Sequence, residues 1–270
     1  MDMLKEVLVL LKRDISLSVS FFRNRFFFTI LFILLFLASY YVRAFNGSML
    51  DYIFYMFSGV NYENVLAKQV TIPIEWFVLQ LAGAFIIGDF IQKDMNENAY
   101  QILIRLKRKY SYIVSKFMSA ALVCVILYSV LIPIYGLVFA FSKENLIFTQ
   151  TTIQQLTEGY KPSSIQMLFL LVSALFCGTI IVTFVQIVLS LCMKSIYAFI
   201  INFFILSTSL VSSNCLLLGN NSMLIRHSLY MADSPINFQF MLVYMVLSLV
   251  VLFCIGIFIF KKKDIMSKSE

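Results

Sequence analysis

Six apolar stretches run through this chain, and any fold it adopts must place all six away from water. Uncharged runs cover Phe26–Val42, Phe117–Ser142, Pro162–Met193, Ser195–Ile225 and Ser234–Phe260, and another stretch centres on Trp76–Ile87, bracketed by Glu75 and Asp89. A helix needs roughly 20 apolar residues to cross a hydrocarbon core, and about 18 uncharged ones make a candidate span. The expected fold is therefore all-α: a polytopic membrane protein with six transmembrane helices. Composition agrees, because the chain is 61% hydrophobic and 13% charged, against about 25% charged in a typical soluble domain.

The basic residues orient the bundle. On one side lie Lys5, Lys12, Arg13, Arg23 and Arg25, then Lys93, Arg105, Lys107, Arg108, Lys109 and Lys116, then Lys194, and finally Lys261, Lys262, Lys263 and Lys268. The opposite side holds Arg43, Lys68, Lys143, Lys161 and Arg226. Cytoplasmic loops carry the Lys/Arg excess, so both termini are expected inside, N-in and C-in. The net charge of +7 sits beside spans, where topogenesis and anionic lipid headgroups account for it better than nucleic acid. Cys124, Cys177, Cys192, Cys215 and Cys254 fall in or at the edges of spans without paired spacing, which reads as packing rather than a disulfide framework or metal site. A cleaved leader is not expected, since 25 charged and amphipathic residues precede the first apolar run.

Three organisational units follow: an arm over 1–25, a transmembrane domain over 26–260 and a tail over 261–270. In the arm, Leu4, Leu8, Leu11, Ile15 and Val19 form one helical stripe, with Lys5, Lys12, Arg13 and Asp14 mainly off it. Such a helix can lie in the headgroup plane; the alternative is an extension of the first span. Arg23 and Arg25 mark the inner interface, where their stems can snorkel.

The longest predicted cytoplasmic loop, 92–116, carries a short helix from Met95 to about Leu106. Asp94 and Glu97 have the spacing of a capping box, and Lys107 to Lys109 suit the helix C-terminus. Ser111 is a candidate cap for the third span. Tyr100, Leu103, Ile104 and Leu106 are too few for a core, so they either dock on a protein or rest on the lipid interface. The segment 219–238 is too apolar for a plain extracellular loop, with Met223, Leu224, Ile225, Leu229, Tyr230 and Met231, and a short helix ending near Asp233 and Pro235 is expected. His227, the single histidine, reads as an interfacial polar residue.

This order resembles the permease subunit of an ABC-2-type transporter, in particular the short permeases of Gram-positive bacteria associated with antimicrobial peptide export or immunity. The residues that carry the resemblance are the basic arm, Gly88-Asp89-Phe90 closing span 2, Leu103-Ile104-Arg105 with basic neighbours, Lys116 opening span 3 and Phe260-Lys-Lys-Lys-Asp264-Ile265. It implies a bacterial plasma-membrane exporter of an amphipathic peptide or other hydrophobic compound. Loop residues Asp94, Glu97, Tyr100, Leu103, Ile104 and Arg105 would couple to a separate ATPase. The arm would be an interfacial elbow, and 219–238 would fold partly into the outer leaflet. A second permease copy or a related permease would complete the complex, with membrane lipids around it.

No catalytic constellation is visible, and the absence of G-x-x-x-x-G-K-[ST] means that ATP and magnesium would act only through the partner. Intramembrane polar residues are few. Thr179, Thr183, Gln186 and Ser190 share one face of span 4. Gln80, Asn202, Ser209 and Ser213 are candidate pathway lining, or else helix glue. Ala84 with Gly88, and Ala174 with Gly178, have close-packing spacing. The spans lack the ionisable groups that ion-coupled carriers keep in the bilayer, which weakens a secondary transporter or channel. A transport-independent immunity or assembly factor remains the other alternative.

Overall fold

The computed structural model describes residues 3–43, 49–61, 72–142, 164–212, 214–228, 234 and 236–262. The tail from Lys263, Ser213, Leu229 to Asp233, and Pro235 lie outside the described residues. Among those described, the regular structure is helical: α1 (Met3–Arg43), α2 (Met49–Phe57), α3 (Ile74–Ile87), α4 (Phe90–Glu97), α5 (Ala99–Arg105), α6 (Tyr110–Ser142), α7 (Ser164–Cys192), α8 (Ser195–Val211), α9 (Leu218–Ser222), a 3₁₀ turn Leu224–Arg226 and α10 (Phe238–Lys262). Among the described residues, five segments are long and apolar enough to cross a membrane, with cores at Phe22–Ser39, Ile74–Glu97, Tyr110–Leu137, Ile165–Cys192 and Phe238–Lys262. The expected fifth span is shorter than its sequence run. α8 stops at Val211, and the chain then turns into α9 instead of continuing to Ile225.

The arm and first span form one continuous helix, with no break at residue 25. At about 1.5 Å per residue, the 41 residues of α1 reach roughly twice the thickness of a hydrocarbon core. Nothing between Arg13 and Phe26 breaks it, since Gly and Pro are both absent there. The predicted stripe largely points away from the protein, with Leu4, Leu8 and Ile15 exposed, whereas Glu6, Val7, Leu10, Leu11 and Asp14 are buried. Charge in Glu6 and Asp14 faces inward because cations and hydroxyls await it there.

The centre of the bundle is α3 against α7. α3 is apolar nearly all round, from Trp76 and Phe77 to Ile86 and Ile87, as a helix surrounded by protein should be. The two backbones approach closely at glycines. A Cβ on Gly83 would lie 2.2 Å from Thr183 Oγ1, and one on Gly178 would lie 2.5 Å from Gln80 Oε1. Gly88, read from sequence as a packing residue, instead terminates α3 with a φ of 29°, and its Cβ position is filled by the Arg25 guanidinium. A left-handed residue after a helix is where glycine is favoured. On the other side α10 meets α6, where Phe117 occupies the space beside Gly256 and stacks edge-on with Phe184 and Phe253.

Substitutions at two glycines should separate packing from propensity. Gly83→Val should lower the unfolding midpoint in detergent by an overpacking cost of about 1–3 kcal/mol. Gly136→Ala should leave the midpoint unchanged or raise it, since nothing lies within 4 Å of its Cβ position.

Candidate functional site

The end of the bundle where α1 begins holds a buried ionic cluster built from three distant segments. Lys116 on α6 is fully buried; its Nζ lies 2.8 Å from Asp14 Oδ1 on α1 and 2.6 Å from Asp94 Oδ2 on α4. Arg13 also pairs with Asp94 and lies 3.4 Å from Asp14. Hydroxyls and an amide satisfy the remaining lone pairs. Tyr112 OH donates to Asp94 at 2.7 Å, Asn98 Nδ2 at 3.1 Å, and Ser115 Oγ donates to Asp14 at 3.1 Å. Ser111 Oγ donates to Glu6 at 3.2 Å. The Lys116 ammonium also sits over the rings of Phe90 and Tyr112, 4.5 and 4.9 Å from their centres, an added electrostatic attraction. Burying such charges is tolerable only with this density of partners.

This geometry revises several readings of the loop. Asp94 lies inside α4 and makes no cap, because its carboxylate is held by Lys116, Arg13 and Tyr112. Glu97 is exposed, and among the described residues it pairs with Lys93 at 3.8 Å. Ser111 lies within α6 and bonds to Glu6 instead of capping that helix. The single helix expected from Met95 divides at Asn98 into α4 and α5, and α5 ends where Leu106 turns extended.

The loop residues assigned to docking separate onto two faces. Ala99 and Leu103 are buried, so Leu103 belongs to the core. Tyr100 and Ile104, one helical turn apart, are 56% and 61% exposed, and Arg105 is exposed beside them. The candidate site is thus a small apolar face on α5, carried on a base that the ionic cluster joins to α1 and α6. Stacking of Tyr112 on Phe260, 5.6 Å apart, ties the end of α10 to the same base.

The polar stripes are engaged within the subunit. Thr179 Oγ1 meets Tyr128 OH at 2.9 Å, and Thr183 lies 3.5 Å from Cys124 Sγ. Gln186 Nε2 donates to Ser195 O at 3.1 Å, while Asn202 Nδ2 donates to Val182 O at 3.0 Å and Gln186 Oε1 at 3.2 Å. Gln80 is buried between α3 and α7, with Nε2 3.5 Å from Leu175 O. Ser209 Oγ accepts from Gly219 N at 3.1 Å. Of the candidate lining residues, these three face neighbouring helices, and Ser213 lies outside the described residues.

Sequence reasoning missed a second polar hub at the opposite end. Arg226, counted as a loop charge, is buried. It donates to Ser209 O at 2.6 Å, Ser212 O at 3.0 Å, Leu210 O at 3.3 Å and Val60 O at 3.0 Å, and to Asn220 Oδ1. The last carbonyls of a helix lack intrahelical donors, and a cation suits that end of the dipole; Arg226 meets both needs for α8. Asn220 also donates to Ser212 O and Asn214 O, each at 2.8 Å, and Trp76 Nε1 reaches Ser222 O at 3.3 Å. His227 is buried beside this hub, with Nε2 3.0 Å from Asn221 O. A run of Asn-Asn-Ser before an arginine is the signal that could have exposed a folded segment here.

Lys116→Met should cost about 3–5 kcal/mol, because two carboxylates lose their shared cation. Adding Asp14→Asn and Asp94→Asn should recover part of that loss, read as unfolding midpoints in detergent. Asn202→Leu should lower the midpoint modestly, by about 0.6 kcal/mol, the typical worth of an interhelical hydrogen bond in a membrane.

No curated protein and no solved structure matches this chain. A family model described as "Protein of unknown function (DUF2705)" matches residues 30–266, nearly all of the chain beyond the first part of α1. The chain belongs to that family.

Proposed function

We propose that this protein is the membrane-spanning permease subunit of an ATP-driven ABC exporter of the ABC-2 type. It would cross the bacterial plasma membrane six times with both termini inside. In this reading α8 is the additional span. It runs from Ser195, whose Oγ donates to Gly88 O at 2.6 Å, to the Arg226 hub at the other end, and its 17 residues cover about 25 Å. The ionic cluster then lies at the cytoplasmic face, and α9 with the 3₁₀ turn lies toward the outer leaflet.

The observation that carries this reading is the exposed Tyr100 and Ile104 face of α5 on a rigid, ion-paired base. A short helix with a solvated apolar face is suited to docking in a groove of another protein. Force applied there would pass through Asp94 to Lys116 and Asp14, and so to α6 and α1 together. A separate ATPase bound at α5 would supply ATP and magnesium, and a second permease would complete the complex. Transport then follows if nucleotide binding favours one of two arrangements of the bundle. The substrate class that suits apolar outer faces is an amphipathic peptide or other hydrophobic compound.

Affinity purification from the native host in mild detergent tests the assignment. A stoichiometric P-loop ATPase should accompany the wild-type chain. Ile104→Asp with Tyr100→Asp should reduce that recovery about tenfold while membrane insertion and unfolding midpoint stay unchanged. Leu103→Asp is the contrasting variant, expected to lower the midpoint because Leu103 is buried. Full ATPase recovery with the double variant would exclude α5 as the docking face, and recovery of the wild type without any ATPase would remove the exporter reading.

A further inference from the structure

A groove of about 390 Å³ runs along the flank of the bundle between α1 and α6. Phe22, Phe27 and Ile30 from α1 and Leu122 and Ile126 from α6 line it, and Arg23 is the charged side chain along it. Phe27 and Ile126 are exposed at its rim, while Phe22 is buried at its floor. Arg23 is itself exposed, and among the described residues no carboxylate or hydrogen-bond acceptor engages it. Arg25, two residues on, is already committed: Nη2 lies 2.6 Å from Asp89 Oδ2 and Nη1 donates to Phe85 O at 3.3 Å. Two residues along a helix turn a side chain by about 200°, so the two arginines serve opposite flanks of α1.

The shape and charge of the groove select its occupant. From Arg23 to Ile30 is about 10 Å along the helix axis, running from the basic end into the apolar belt. An apolar helix laid in the groove would bury Arg23 without supplying an acceptor. A phospholipid supplies both parts, a phosphate matched to the planar guanidinium and an acyl chain that fills the space between apolar walls. We infer that the groove binds an anionic glycerophospholipid of the leaflet at the basic end, its phosphate on Arg23 and one acyl chain between α1 and α6. This site is independent of whether α5 docks an ATPase.

Native mass spectrometry of the detergent-purified full chain, titrated with phosphatidylglycerol or phosphatidylcholine of matched acyl chains, tests the site. The wild type should retain phosphatidylglycerol about fivefold better, the worth of one basic residue at a lipid surface. Arg23→Gln should abolish that preference, and Ile126→Trp should reduce retention of both lipids. Leu247→Trp on exposed α10 controls for the added ring, and unchanged unfolding midpoints establish that the variants are folded. Equal retention of the two lipids by the wild type, or undiminished retention in Arg23→Gln and Ile126→Trp, overturns the proposal. Displacement of the lipid by inorganic phosphate at millimolar concentration would show an anion site without an acyl requirement, and would also overturn it. So would a dimer mass that Ile126→Trp converts to monomer without loss of lipid, because the groove would then hold a second copy.

Discussion

The ammonium of Lys116, shared between Asp14 and Asp94, is the interaction on which the basic end of the molecule depends. The three residues come from α6, α1 and α4, separated by about a hundred residues in one direction and by a loop in the other. Taking an ion out of water is costly, so a pair that leaves lone pairs unmet would favour a different arrangement. Here Tyr112, Ser115, Asn98 and Arg13 meet them. Position along the helices is thereby fixed: sliding α1 by one residue would leave a charge without its partner. This distinguishes the cluster from apolar contacts, which lose little on a small displacement.

The middle of the bundle is held by a different principle. Lipid gives helices no hydrophobic reason to associate, so close approach and interhelical hydrogen bonds must do it. Gly83 and Gly178 permit the approach of α3 and α7. Thr179, Thr183, Gln186 and Asn202 supply the bonds, each to a neighbour within the subunit. Arg226 closes the far end by collecting the terminal carbonyls of α8. The faces left outward on α1, α8 and α10 are almost wholly apolar, with Phe28, Phe204 and Val243 among their exposed residues. A unit that is stiff inside and apolar outside can tilt or separate as a body, which is the mechanical property the proposed function requires.

Much of the architecture is legible from residue order alone. Long uncharged runs locate α1, α6, α7 and α10, because hydrocarbon admits little else, and the isolated Tyr100 and Ile104 are visible as apolar residues without a core of their own. The candidate site is legible only in part. Leu103 has the same chemistry as Ile104 and lies next to it, yet a 100° turn of helix puts one in the core and the other in solvent. Asp94 has the spacing of a cap, but a cap hydrogen bond is worth less than a place beside a buried ammonium. Gly88 has the spacing of a packing glycine, but its φ makes it a helix terminator.

What the sequence determined by itself was the presence and position of helices apolar enough to cross a membrane, and the unpartnered apolar residues of the loop 92–116, since these follow from hydropathy and charge summed over many residues. What only the tertiary structure decided was the destination of single charges. Arg13, Asp14, Lys116 and Arg226 look like interfacial residues in a linear reading, and all of them sit in networks whose partners come from distant segments. Whether a charge belongs in solvent or in the interior depends on the partners waiting for it, and a local sequence window does not contain them.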